Sequence, residues 1–444
     1  MRKVVNRIKD LLSGKKSDAF EIAAVNTKSS SVQAKDLDMD LVSRSESTAF
    51  ALRVLRESRL GYAYSTSDAG DALANMVEGA IFSASSKGAD EFAILPEGPH
   101  SYPSFENPPR EQEIPLGSMV DFAIGLEKDT KALDKRITRV RYSTLTESLS
   151  NFTIYGSRGI EGEFSRSTYV AFVYAIAEEG DQSETGFGFD YGDSFDTLLA
   201  RRGKVPGEAS HRAIRMLGSR RIQTGRYPVL IENSAMIDLL GVLTPSFNGK
   251  NVALKKSMLS ESRGKEVFSP LLSIIDNPLM EKGAASAPFD GEGVPSRRLH
   301  LIREGRCEAF MTDSYWGKRL GTGSTGSLRR GSVQNPPEIG NSNIFISPGK
   351  EPPDGLMGKI DKGILLTNFL GIHTADTISG DFSVGASGIY IENGEMAFPV
   401  RTFAVSGNIV ELMGRVTGVG SDLEMLGSTG APTVAFEYMD VGGE

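Results

Sequence analysis

The stretch Asp376–Val400, DTISGDFSVGASGIYIENGEMAFPV, decides how the second half of this chain is read. Within it, Gly388–Phe398 (GIYIENGEMAF) is an apolar strand, a two- or three-residue turn containing Gly and a second strand. That is the spacing of a β-hairpin. His300–Met311 (HLIREGRCEAFM) has a related pattern, so the C-terminal part is expected to be a β-rich domain built on repeated hairpins. It opens on an apolar strand, Tyr227–Ile231, followed by a buried helix over Met236–Leu243. Gly and Pro dominate Gly321–Pro353, which predicts a long loop over the surface or across an interface.

Working back towards the N-terminus, Phe20–Thr27, Ala49–Leu55 and Leu60–Asp68 read as an antiparallel hairpin region. Asp36, Asp38 and Asp40 alternate along one strand face, but no calcium-loop glycine follows them. A solvated strand edge is the reading. Ser67–Ser86 has helical periodicity through Leu73, Met76, Val77 and Ala80, with Ser67 or Asp68 as N-cap. The proline-rich Glu97–Pro115 is an extended connector. Beyond it, Ser118 and Asp121 suggest a capped helix with an apolar stripe of Met119, Phe122, Ala123, Leu126 and Leu133. Period-two alternation from Ile137 to Tyr191 predicts an antiparallel meander, and a helix around Glu208–Leu217 ends at Gly218. The fold class is therefore α+β, divided as residues 1–110, 111–222 and 223–444.

A chain of 444 residues is long enough for two or three domains, each with its own core. The net charge of −8 works against a polyanion surface, so direct nucleic-acid binding is not expected. One cysteine, Cys307, excludes an intrachain disulfide framework and fits a reducing, cytoplasmic setting. The basic N-terminus carries Val4, Val5, Ile8, Leu11 and Leu12 on one helical face, which predicts packing against the body rather than secretion. No run approaches the roughly 20 apolar residues of a membrane span.

Five further blocks carry a resemblance: GYAYSTSD at 61–68, ASAPFDGEGVPSRR at 285–298, YWGKRLGTGSTG at 315–326, VGSDLEML at 419–426 and the closing DVGGE. With Asp376–Val400, their order and spacing resemble those of the TldD/PmbA peptidase family. In that family one member of a pair carries a zinc-binding H-E-x-x-x-H helix and a cysteine near the C-terminus, and its partner carries the fold without the ligands. Such a helix needs imidazoles to hold zinc and a Glu beside the first His as general base. Here Gly241, Val242 and Ser246 stand where His, Glu and His are expected. None of the four histidines, His100, His211, His300 and His373, is followed by Glu, and no cysteine lies around Leu426–Gly430.

The resemblance thus implies the PmbA (TldE) type: a chain with no metal ligands or catalytic residues of its own, acting with a TldD-like zinc peptidase on peptides or unfolded segments. A homodimeric peptide-binding protein and a hydrolase with unidentified residues are the alternatives. Ser379, Gly380, Asp381 and Ser383 could border a peptide groove that adds a strand to the sheet, or could simply form a turn required by the fold. Gly321, Gly323 and Gly326 match G-x-G-x-x-G, but a helix over Ser314–Leu320 precedes them where a dinucleotide site needs a strand. Ser387 sits in a strand rather than at a nucleophile elbow. Cys307 is expected opposite Ile302 as a buried thiol, with His300 a diagonal neighbour outside hydrogen-bond reach.

Overall fold

The computed structural model describes residues 2–104, 113–331 and 333–443. Part of the expected connector, residues 105–112, lies outside them. The N-terminal half is one antiparallel sheet of order β3-β2-β1-β4-β5-β6. Its strands are β1 (Ala19–Lys35), β2 (Asp38–Arg56), β3 (Arg59–Ser65), β4 (Ile137–Gly156), β5 (Glu161–Glu179) and β6 (Gln182–Gly192). The hairpin region and the meander are thus contiguous, joined by the β1–β4 pairing.

Helices cover one face of this sheet. Helix α1 (Arg2–Leu12) buries Val5, Ile8 and Leu12 beside α2 (Gly70–Ser85) and Ile22, Phe50 and Leu52 of the sheet. Further along, α3 (Leu116–Leu133) buries Met119, Phe122, Ala123 and Leu126 against Val32, Leu145 and Val173, while Leu133 at its end is exposed. The short α4 (Phe195–Ala200) and α5 (Lys204–Ile214) complete the layer. Two expected N-caps are corrected. Helix α2 starts after Ala69, because the Ser67 hydroxyl is engaged by the Ala69 N–H at 3.2 Å. Helix α3 starts after Pro115, which places Ser118 inside its first turn.

The C-terminal half contains β7 (Gly225–Ile231), α6 (Asn233–Leu243), β8 (Ile274–Asp276), β9 (Leu299–Arg303), β10 (Arg306–Cys307), β11 (Leu328–Arg329), β12 (Glu338–Ile339) and β13 (Ile344–Ile346). Then follow β14 (Lys362–Leu370), β15 (Asp381–Glu392), β16 (Glu395–Asn408), β17 (Val416–Val419), β18 (Glu424–Leu426), β19 (Thr429–Ala431) and β20 (Val434–Gly442). Strands β16-β15-β14-β7-β20 are consecutive neighbours, and β20 pairs back onto β16 at Ala404–Ser406, closing a small barrel. A second sheet of order β10-β9-β8-β13-β19-β18 lies in the same half. Both expected hairpins are present. Their turns, Glu304–Gly305 and Asn393–Gly394, have positive φ at both positions, the geometry that matches strand twist.

The segment Gly321–Pro353 departs from expectation. Thr325, Ser327, Leu328, Ser342, Asn343 and Ile344 are buried, and short strands β11 to β13 run through it. Burial is tolerated because its polar groups find partners: the Leu328 N–H donates to Asp290 at 3.0 Å and the Ser342 N–H to Asp276 at 2.7 Å. Nearby, the 285–298 block packs on the sheet face away from the helices, where Phe289 meets Ala23, Ala51, Phe152 and Ile154.

Candidate functional site

Where the two halves meet, a cleft of about 350 Å³ opens between β6, α5, α6 and the strands β14 to β16. Two adjacent register shifts build one wall. Leu366 pairs with Gly388 but Asn368 with Ser387, leaving Thr367 as the extra residue. In the next ladder Ala386 pairs with Phe403 and Gly388 with Val400, so Arg401 and Thr402 face Ser387. Bulges of this kind re-aim side chains next to sites. Thr367, Asn368, Ser387, Arg401 and Thr402 all line the cleft. The Thr367 hydroxyl donates to the Ser387 carbonyl at 3.2 Å, tying the bulged strands together.

The opposite wall comes from helices. Arg215, after α5, donates to both oxygens of Glu232 at 2.7 and 2.6 Å, which fixes its guanidinium beside the start of α6. Ser234 and Asp238 of α6 line the cleft, and Gly241 continues their helical face one turn on. Burial pushes the Asp238 carboxyl up; it does the same to Glu184, against the opposing pull of Arg401. Arg401 is oriented by the Ser219 hydroxyl at 3.1 Å from its Nε. Donors and acceptors of both signs therefore line one groove, an arrangement that suits a peptide backbone rather than a single charged group.

Of the positions where zinc ligands are expected, Gly241 is exposed, whereas Val242 and Ser246 are buried. They offer no side chain, an isopropyl group and a neutral hydroxyl, so the donor set does not fit zinc. Among the described residues no three His, Cys, Asp or Glu side chains form a metal-holding group. Asp38 accepts from the Met39 N–H and Asp40 from the Gln33 amide, with Asp36 in the intervening turn.

The other singled-out residues fall elsewhere. Ser379, Gly380, Asp381 and Ser383 are exposed, apart from the buried Gly380, and lie outside the cleft. Asp376 accepts from the Ile378 and Ser379 N–H groups, Asn408 donates to Asp381 at 2.8 Å, and Gly380 has φ of +87°. These bonds close a turn, and the Asp376 N–H already occupies the Asp381 carbonyl at 3.0 Å, where an added strand would bind. Cys307 pairs with Ile302 as expected, and burial pushes its thiol up to about 11. The helix Ser314–Arg319 precedes Gly321 and only the two-residue β11 follows Gly326, so no nucleotide cradle forms. Sequence reading missed Arg215, Thr367, Asn368 and Arg401; one extra residue in an alternating strand leaves no local signal.

Family models match most of the chain: PmbA/TldA metallopeptidase domain 1 at residues 20–84, the central domain at 109–217 and the C-terminal domain at 224–443. The chain belongs to the PmbA/TldD metallopeptidase family. It is 26% identical over 448 residues to the metalloprotease PmbA of Escherichia coli O157:H7, covering 100% of this chain and 96% of that one. The crystal structure of a putative modulator of DNA gyrase from Thermotoga maritima superposes with a TM-score of 0.91 at 26% identity, covering 99% of this chain and 100% of that one. TldE from Thermococcus kodakarensis shares the fold, with a TM-score of 0.86 at 22% identity and full coverage of both chains.

Proposed function

We propose that this chain is a metal-free, PmbA/TldE-type subunit that holds peptides or unfolded segments in the cleft between its halves, while a TldD-like zinc chain hydrolyses the bond. The observation that carries this reading is the pairing of a formed, mixed-polarity groove, walled by Ser234 and Asp238 of α6, with Gly241 and Val242 at the end of that helix and Ser246 just after it in place of metal ligands. Bulged strands supply orienting groups, and Arg215 and Asp238 supply opposite charges on the helical side. An interface for a partner is supported by the far part of β2. There β3 pairs only from Phe50 onward, and Leu37, Met39 and Leu41 at the hairpin tip are exposed. No described helix is long and apolar enough to cross a membrane, and a cytoplasmic setting fits the single buried thiol.

Coexpression with an H-E-x-x-x-H paralogue tests the proposal. The isolated chain is expected to leave unfolded casein and short peptides intact, and the pair to cleave them in a chelator-sensitive manner. Asn368→Ala with Arg401→Ala should raise KM in the pair. Metal-independent cleavage by the isolated chain would overturn the reading. Peptide binding by a homodimer that makes no complex with the paralogue would replace the partner with a second copy.

A further inference from the structure

A second cavity, of about 410 Å³, lies between the helix-free face of the N-terminal sheet and the 285–298 block, within the size range of sites for small organic molecules. Three rings form its apolar wall: Phe152, Phe164 and Phe289, with centroids 5.2 to 6.0 Å apart. Three guanidiniums come to the same space, from Arg166 on β5, Arg329 and Arg330. The Arg330 side chain is 4% exposed and pairs with Glu21, yet its Nη1 has no hydrogen-bond partner. Arg329 approaches Asp276 only to 3.9 Å, and its Nη2 is likewise buried and unpartnered. Arg166 has no hydrogen bond or ion pair among the described residues; burial, and after it the Arg329 charge, push its pKa down. The one carboxylate on the wall, Asp290, is already committed to the N–H groups of Glu292, Val294 and Leu328. Three guanidiniums, of which Arg166 has no counter-ion among the described residues and Arg329 and Arg330 each keep an unpartnered N–H, set against aromatic rings, describe a receptor for an anion with an apolar body.

We propose that this cavity binds a carboxylate carried on an aromatic group, with Arg166 and Arg329 facing the carboxylate and the ring seated among Phe152, Phe164 and Phe289. Two sources share that chemistry: a free aromatic acid and the C-terminal residue of a peptide ending in Phe or Tyr. The site is separate from the cleft beside α6 and does not depend on the peptidase reading.

Calorimetric titration of the full chain with N-acetylphenylalanine, its amide, the tripeptide Ala-Ala-Phe, its amide and inorganic phosphate tests it. At least one free acid is expected to bind at one site, with its amide weaker by about tenfold or more. Arg166→Gln should lose about the same factor while keeping the unfolding midpoint, because Arg166 makes no hydrogen bond or ion pair with the described residues. Binding of the small acid alone assigns the site to free acids, and binding of the tripeptide alone assigns it to peptide termini. Amides binding as well as acids, phosphate binding as tightly as the aromatic acid, unchanged binding by Arg166→Gln, or no saturation by any acid up to about 10 mM would each overturn the proposal.

Discussion

Replacing Arg53 with Met should cost about 3 kcal/mol of folding free energy, because it strips the shared cation from a buried junction of the two halves. Arg53 of β2 is 7% exposed at its side chain. It donates its Nε to Glu21 at 3.0 Å, its Nη2 to the other Glu21 oxygen, and the same Nη2 to Glu292 at 3.2 Å. Removing one partner of a buried pair typically costs about 3–5 kcal/mol. Two features keep this case near the lower end. Arg330 still pairs with Glu21, and Glu292, its carboxyl pushed up to about 8, already holds its proton for the most part at pH 7. Met fills the aliphatic path of the arginine, so little of the loss comes from a cavity. Urea unfolding at pH 7 gives the magnitude. Repeated at pH 9, where Glu292 is ionised beside Arg53, the double variant Arg53→Met, Glu292→Gln should recover about 1 kcal/mol relative to additivity, since it leaves no carboxylate without its cation. A loss below about 1 kcal/mol in the single variant, or strict additivity in the double one, would refute the account of a charge junction.

Glu292 also predicts a pH dependence. Burial and the neighbouring Asp290 push its carboxyl up to about 8 from 4.5, although Arg53 pulls the other way. The folded state therefore binds the extra proton, so this group lowers stability as pH rises from 4.5 through 8, after which its contribution levels off. Between about pH 7 and pH 9 it removes about 1 kcal/mol, and Glu292→Gln should abolish that slope in urea titrations run at both values. A different contact is tested by Gly188→Ala, whose added Cβ would sit 1.9 Å from the Val205 carbonyl oxygen of α5. Helix and strand must separate, costing about 1–3 kcal/mol. Because α5 leads into Arg215, the variant should also weaken peptide binding in the cleft; full binding with lost stability would show that Arg215 is positioned by Glu232 alone.

What was legible in the sequence was local chemistry. Asn393–Gly394 and Glu304–Gly305 announce their turns because few residues tolerate positive φ, and the period of Leu73, Met76, Val77 and Ala80 announces the buried face of α2. The caps failed for a local reason as well: Ser67 has the side chain of a cap, but it serves the Ala69 N–H two residues on. Failure at Gly321–Pro353 was of another kind. Its composition reads as a loop, yet Asp290 and Asp276, dozens of residues upstream, receive its N–H groups and let it pass through the interior. Nothing in the segment itself names those acids.

The two sites were hidden by register and by distance. Glu21 and Arg53 face each other only once β1 and β2 are aligned, and the cleft beside α6 depends on one extra residue at Thr367. A bulge leaves composition and hydropathy unchanged while turning Asn368 towards α6, so period-two reading passes over it. The positions that could be read, Gly241, Val242 and Ser246, spoke through what they lack. Loss of ligands alone is equally compatible with a relic scaffold, since a fold persists after its chemistry has gone. The cleft shifts that balance, because bulged strands and a desolvated Asp238 carry a free-energy cost that a scaffold relieved of all binding has no reason to retain. The proposed role, recognition without hydrolysis, would account for both the cost and the missing ligands.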